Sequence, residues 1–197
     1  MPYSLPTKIN IGGKAYNISK QGDYRMVIDC FKALNDCELS QSFRYIAALM
    51  IFYEDINSIE DVKKLTSEEY ANLINGMFDF FNAGQTAAGI QSRHKLIDWN
   101  ADSQLICAAV NNAAKMEVRS VEYMHWWTFL GHYMSVGDSL LATVVGIRDK
   151  IAHGKKLEKY EEKFKKDNPH YFNWEMRTAE EIAEEKAFME MWNSGSL

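Results

Sequence analysis

Apolar residues recur every three or four positions through most of this chain of 197 residues, and this spacing constrains the fold more than any other feature. From Asp23 onward the pattern predicts successive helices, each with one apolar face directed to a core. The segment Thr66-Ser67-Glu68-Glu69 adds a capping box, in which a hydroxyl and a carboxylate satisfy backbone donors at a helix start. The chain is therefore predicted to be mainly α, a compact multi-helix domain.

Three apolar stripes are expected to form the core of the first half. They are Tyr24, Val27, Ile28, Phe31 and Leu34; Phe43, Ile46, Ala47, Met50 and Tyr53; and Tyr70, Leu73, Ile74, Met77, Phe78 and Phe81.

A different period precedes the helices. The pattern predicts two short alternating strands joined by a glycine turn: Ile9 and Ile11, then Gly12-Gly13, then Tyr16 and Ile18. The fold class is thus multi-helical with a short N-terminal β-hairpin. A lone hairpin is marginally stable, so its apolar face is expected to pack on the chain's own helices or, alternatively, to pair with another subunit's edge.

The pattern breaks once near the middle of the chain. Residues 83–97 are rich in glycine, glutamine and serine and read as a linker between the hairpin with about three helices (1–82) and a C-terminal helical part (98–167). A terminal amphipathic helix is expected over 178–193. We interpret 1–197 as a single domain, because each half is close to the size at which a separate core becomes marginal.

Composition excludes several classes of protein. The formal charge of −5 and pI near 5.6 argue against broad nucleic-acid binding, and no apolar run is long enough for a membrane span. Cys30, Cys37 and Cys107 contain no CxxC pair, which favours buried, reduced thiols in a cytoplasmic protein. Neither a phosphate loop nor a catalytic or metal-binding motif is present, so we expect a binding protein with no cofactor rather than an enzyme.

The most distinctive residues lie in the second half. Asp98 is expected to cap a helix beginning at Trp99, with Asp102 one turn further and both carboxylates near the positive end of the helix. The two acids could alternatively bind a metal or act as acid and base. Arg148 emerges from an apolar helix capped by Asp138 or Ser139, and we expect it to pair with Asp98 or Asp102.

The run His125-Trp126-Trp127-Thr128-Phe129 is expected on a helix from Ser120 to about Met134. Adjacent tryptophans point about 100° apart on a helix, so one can enter the core while the other faces a neighbouring helix or a partner. His125 and His132 share a face, which would suit either a metal site or histidines that are hydrogen-bonded within the fold or lie at the edge of solvent.

Charge dominates the end of the chain. The stretch 155–166 predicts a solvated helix with many ion pairs. The terminal helix then carries Ile182, Phe188, Met189 and Trp192, which could either dock a partner or fold back on the body.

The patches 98–102 and 125–129, followed by Ile147-Arg148, resemble the bacteriophage "gene product fifteen" family of long-tailed phages of Gram-positive bacteria. The resemblance is best over about 96–167, although 107–119 is less aromatic than the family's usual pattern. Members are usually encoded just before the tail tape-measure protein and are regarded as tail-assembly chaperones. The resemblance implies that the residues to carry over are those of the three patches: Asp98, Trp99, Asp102, His125, Trp126, Trp127, Phe129 and Arg148.

The implied function is a non-catalytic tail-assembly chaperone in the host cytoplasm. It would bind the tape-measure protein, help recruit tail-tube subunits, self-associate, and be absent from the mature virion. The alternative is a structural subunit of the virion tail or an adaptor.

Overall fold

A computed structural model describes residues 4–83 and 96–172. Within these residues a two-stranded antiparallel hairpin precedes eight α-helices, which confirms the prediction of a mainly α protein with a short N-terminal hairpin. The elements are β1 (Lys8–Ile11), β2 (Lys14–Asn17), α1 (Tyr24–Leu34), α2 (Gln41–Phe52), α3 (Ile59–Lys63), α4 (Ser67–Phe81), α5 (Ser103–Ala114), α6 (Trp126–Met134), α7 (Leu140–Ala152) and α8 (Lys159–Asp167).

The chain divides into two units. The first holds 1–89 and 110–135, and the second holds 90–109 and 136–197, so that α5 belongs to the second through Ala109 and to the first from Val110. Most of the predicted linker (83–97) and all of the predicted terminal helix (178–193) lie outside the described residues. The single-domain interpretation stays a prediction.

The hairpin packs on helices of its own unit, as expected. Ile9 lies opposite Tyr16 in the strand pair, and the side chains of Ile9 and Ile11 approach α4 at Gly76. A Cβ at Gly76 would stand 3.1 Å from Ile9, so glycine is what allows this close contact. Tyr16 meets Tyr53 edge to face, with the ring centroids 5.7 Å apart.

Helix α2 buries a different face from the predicted one. Ala48, Leu49 and Phe52 are fully buried, whereas Phe43 is 51% exposed. Of the predicted stripe, only Tyr53, just beyond the helix, is buried; Ile46, Ala47 and Met50 are half-buried. The prediction was wrong because α2 is apolar on nearly all sides, so spacing alone could not identify the face that meets α1 and α4.

In the second unit, Ser139 caps α7 by accepting a hydrogen bond from the amide of Ala142, as expected. The charged helix α8 starts at Lys159, later than predicted, behind a capping box of Glu158 and Glu161. Glu161 is 5% exposed and accepts from the Lys150 ammonium at 2.7 Å, so this part of the helix is not the solvated surface that its composition suggested. Hydrogen bonding to Lys150 lowers the pKa of Glu161.

The expectation that all three cysteines are buried is wrong. Cys37 is exposed, and of the three thiols only that of Cys30 is fully buried.

None of the helices in residues 4–83 and 96–172 is long and apolar enough to cross a membrane.

Candidate functional site

The second unit contains a buried ion pair between Arg148 and Asp102. We call this pair, together with Asp98 and the main-chain carbonyls of Leu96 and Tyr171, the Arg148 cluster. Arg148 and Asp102 form a bidentate pair at 2.6 and 2.9 Å, with both side chains almost fully buried. The guanidinium also donates to the carbonyls of Leu96 (2.9 Å) and Tyr171 (2.7 and 3.0 Å). All five N–H donors of Arg148 are therefore satisfied by the chain itself.

The two acids differ in role. The Asp98 carboxylate accepts from the amides of Asn100 and Ala101, and its own amide donates to Asp102 at 2.9 Å. Asp98 thus stabilises a turn rather than a helix start, because α5 begins four residues later than predicted, at Ser103. Of the two candidate partners, Arg148 binds Asp102, while Trp99 lies half-buried on the intervening turn.

The first unit contains a second group, the His125 cluster, made of Asp23, Arg25, His125, Trp126 and Trp127. Asp23 caps α1 by accepting from the Arg25 amide, and it pairs with the Arg25 guanidinium at 2.9 Å. It also accepts from the amide of Met124 at 3.1 Å. One buried carboxylate therefore holds the start of α1 to the segment that leads into α6.

His125 joins three segments of the first unit. Its Nδ1 accepts from the Trp127 amide, so that His125 is the N-cap of α6, and its Nε2 bonds the Pro6 carbonyl at 3.0 Å. A carbonyl can only accept, so the proton is on Nε2 and the ring is neutral. The helix predicted from Ser120 begins instead at Trp126, because the chain around Ser120 forms a separate 3-10 turn, Val118–Ser120.

The paired tryptophans bind the end of another helix. The indole N–H of Trp126 donates to the Phe81 carbonyl and that of Trp127 to the Phe80 carbonyl, each at 2.9 Å. These carbonyls belong to the last turn of α4, which has no further helical turn to supply donors. The Phe80 carbonyl also accepts from the amide of Ala83 at 3.0 Å. Trp126 is buried and Trp127 half-buried, while Phe129 is fully buried and stacks on Tyr24 with ring centroids 4.4 Å apart.

A left-handed turn delivers Asp23 to this cluster. Lys20, Gln21 and Gly22 all have positive φ (49°, 53° and 81°), a conformation that is unfavourable for residues with a Cβ. A Cβ on Gly22 would stand 2.9 Å from both the His125 ring and the Phe80 ring. Gly22 is therefore the position in the turn where a side chain is least tolerable.

We expect Gly22→Ala to destabilise the protein by about 1–3 kcal/mol through this clash, in addition to the cost of a positive φ. Gly12→Ala is the matched control, because Gly12 also has positive φ (57°) but no atom within 4 Å of the added methyl group. Urea unfolding followed by ellipticity measures both variants. Equal losses in the two would show that close packing at Gly22 contributes nothing.

His125 also predicts a dependence of stability on pH. Burial lowers the pKa of His125 from its usual value near 6.5, more than the Pro6 carbonyl and the Asp23 carboxylate raise it. The unfolded chain therefore takes up this proton at a higher pH than the folded chain. The free energy of unfolding should fall as pH drops from about 6.5 towards the folded pKa, and the contribution is fully present above that window.

His125→Asn tests this expectation, since asparagine can still cap a helix but does not titrate. The loss of stability between pH 7 and pH 5 should be smaller in His125→Asn than in the wild type, because the variant lacks the buried imidazole. Parallel losses in the two proteins would contradict the assignment. His132, which is only half-buried, provides a comparison variant.

In both clusters the polar side chains already bind atoms of the chain itself. The donors of Arg148 and both ring nitrogens of His125 are bound to the chain's own atoms, and no buried side-chain polar atom of the described residues lacks a partner. No group of three possible metal ligands occurs in residues 4–83 and 96–172. The arrangement can therefore position helices, whereas binding a ligand there would require breaking these contacts.

Sequence reasoning missed several members of these clusters. The Leu96 and Tyr171 carbonyls are main-chain atoms and leave no signal in residue types. Asp23 before an apolar stripe indicates only a helix cap, and not its contact with Met124. Arg25 also pairs with Asp23, two residues earlier, but its contact with the Val121 carbonyl (2.6 Å) has no signal at local spacing, because these two segments meet only in three dimensions.

Comparison with known proteins identifies the family. The model of the Bacteriophage Gp15 protein family matches residues 2–172, which includes the first half of the chain as well as the three patches. No curated protein and no solved structure matched the chain. The matched range contains both the His125 cluster and the Arg148 cluster and covers well over half of the sequence, and the chain therefore belongs to the bacteriophage Gp15 protein family.

Proposed function

We propose that this phage protein is a non-catalytic tail-assembly chaperone, which binds the tape-measure protein in the host cytoplasm and helps recruit tail-tube subunits. Membership of the Gp15 family carries the proposal. The mechanism is reversible burial: apolar helix faces of a long rod-like client are covered until tube subunits polymerise around it.

Exposed apolar side chains support this role. Met134 is 64% exposed, Phe43 51%, and Met116 and Tyr123 each 46%. Unbranched methionine side chains adapt to varied apolar partners, which suits a client with many similar helices. Because the His125 and Arg148 clusters are occupied by internal contacts, the client surface is expected among these exposed residues and not in the clusters.

The second candidate is a structural subunit of the tail or an adaptor. The hairpin favours it, because β1 and β2 form a sheet of only two strands in the described part of the chain. Such an edge can accept a strand from a neighbouring subunit.

One experiment separates the two. An affinity-tagged copy is expressed from the phage genome, and both infected-cell lysate and purified particles are analysed by mass spectrometry. A chaperone copurifies with the tape-measure protein from lysate and is absent from particles. Stoichiometric presence in particles would replace the chaperone by the structural subunit.

A further inference from the structure

Helix α8 carries a row of three exposed lysines on its outer side. Lys159, Lys163 and Lys166 follow the i, i+4, i+7 spacing of one helix face, opposite the buried Glu161. Within residues 4–83 and 96–172 none of these three ammonium groups forms an ion pair. We name the three residues the α8 lysine row.

The glutamates interleaved with these lysines neutralise the row less than the composition of the helix suggests. Glu161 is directed inward and bound to Lys150, and Glu158 precedes the helix as its N-cap. Glu162 and Asp167 are exposed beside the row, but no ion pair within the described part of the chain joins either of them to it. In residues 156–167 five exposed lysines stand against three exposed acids, so a surplus of positive charge remains.

Residues 173–197, which lie outside the described residues, contain most of the net negative charge of the chain. They hold six acidic and two basic residues, so they account for −4 of the formal charge of −5. Four of the six acids form two pairs at i, i+4 spacing, the spacing of Lys159 and Lys163 in the row. These four are Glu180, Glu181, Glu184 and Glu185. We name 180–185 the acidic segment.

The last described residues before this segment lie beside α8. Phe172 packs edge to face on Phe164 of α8, with the ring centroids 6.2 Å apart, and Arg148 binds the carbonyl of Tyr171. Glu180 follows Phe172 by eight residues. An extended chain of that length spans about 26 Å, whereas a helix of nine residues such as α8 is about 13 Å long. The acidic segment can therefore reach every lysine of the row.

We propose that the acidic segment binds the α8 lysine row of the same chain. A short tether gives the segment an effective concentration on the order of millimolar at the row, which favours it over a separate acidic protein or a nucleic acid. The contact joins exposed charges, so it is reversible and weakens as salt is added. It does not depend on the proposed chaperone role, so either proposal can fail without the other.

Carbodiimide cross-linking of the full chain tests the contact directly, because the reagent joins a carboxylate to an ammonium group only where the two touch. An equal mixture of unlabelled and isotope-labelled protein is treated at low concentration, digested and analysed by mass spectrometry. We expect amide bonds between the α8 lysine row and the acidic segment, with both peptides of each product carrying the same isotope. At a salt concentration of about 1 M, where the Debye length is about 3 Å, the yield should fall about fivefold or more.

Retention on a heparin column tests whether the segment covers the row. Replacing the four glutamates of the acidic segment by glutamine should uncover the row, so that elution needs about twofold more salt than in a matched control. The control makes the same change at four exposed glutamates of the first unit: Glu38, Glu54, Glu60 and Glu68. Adding Lys159→Gln, Lys163→Gln and Lys166→Gln to the first variant should abolish the extra retention. Thermal unfolding followed by ellipticity verifies that all variants fold.

Three results would overturn the proposal. The first is the absence of cross-links between the row and the segment at low salt. The second is a set of cross-linked products whose isotopes are mixed at random, which would place the segment on a different copy of the chain. The third is equal retention of the two glutamine variants on heparin, or extra retention that persists without the three lysines.

Discussion

Replacing Arg148 by methionine should destabilise the protein by about 3–5 kcal/mol, because it leaves the Asp102 carboxylate buried without its cation. Asp102 is 4% exposed, so water cannot solvate it in place. The same change removes the donors that bind the Leu96 and Tyr171 carbonyls. Chemical denaturation followed by ellipticity measures the loss.

Arg119→Met is the matched control for this prediction. Arg119 pairs with Glu117 at 2.7 Å, but both side chains are more than two-fifths exposed, so water replaces the lost contact. We expect a change below about 1 kcal/mol. A loss in Arg148→Met no larger than that in Arg119→Met would show that the buried pair is not required for the fold.

A double substitution separates the energy of the pair from the cost of breaking it. Asp102→Leu with Arg148→Met should be more stable than Arg148→Met alone, because no charge is then buried without a partner. The carbonyls of Leu96 and Tyr171 remain without donors in both proteins, and the Asp98 amide loses its acceptor only in the double variant. A double variant less stable than Arg148→Met would indicate that Asp102 does more than neutralise Arg148.

Trp126→Ala is expected to cost about 3–5 kcal/mol, since it removes a fully buried aromatic side chain and leaves a cavity beside Phe129. It also leaves the Phe81 carbonyl at the end of α4 without its donor. Urea denaturation followed by ellipticity quantifies the effect.

Trp127→Ala provides the comparison within the same helix. Its indole makes an equivalent 2.9 Å hydrogen bond, to Phe80, but the side chain is only half-buried. We expect about 1–2 kcal/mol, because less apolar surface returns to water. Equal losses from the two substitutions would mean that the hydrogen bonds, and not burial, set their contribution.

Local patterns predicted local structure well. The capping box at Thr66 and Glu69, the cap at Ser139 and the Gly12-Gly13 hairpin are all present, because each depends on residues only a few positions apart. Helix starts that lack such a local signal were predicted at the wrong residue. The helix expected from Ser120 begins at Trp126, where the cap is the His125 ring, an uncommon choice that spacing rules do not identify.

The remaining features that the sequence did not predict depend on tertiary contacts. Which face of α2 is buried depends on where α1 and α4 pass, and α2 has apolar residues on more than one side. The pairing of Arg148 with an acid was predictable because a cation on an apolar helix needs a partner, and two acids stood nearby in the family-like patches. The carbonyls that complete the site were not predictable, since every residue carries one.

The measurement that tests the proposed chaperone role most directly is co-expression with the tape-measure protein of the same phage. Each protein alone and the two together are analysed by size-exclusion chromatography with light scattering. We predict that the tape-measure protein aggregates alone and becomes a soluble complex of defined mass with this protein. A tape-measure protein that still precipitates, while this protein elutes unchanged, would contradict the role.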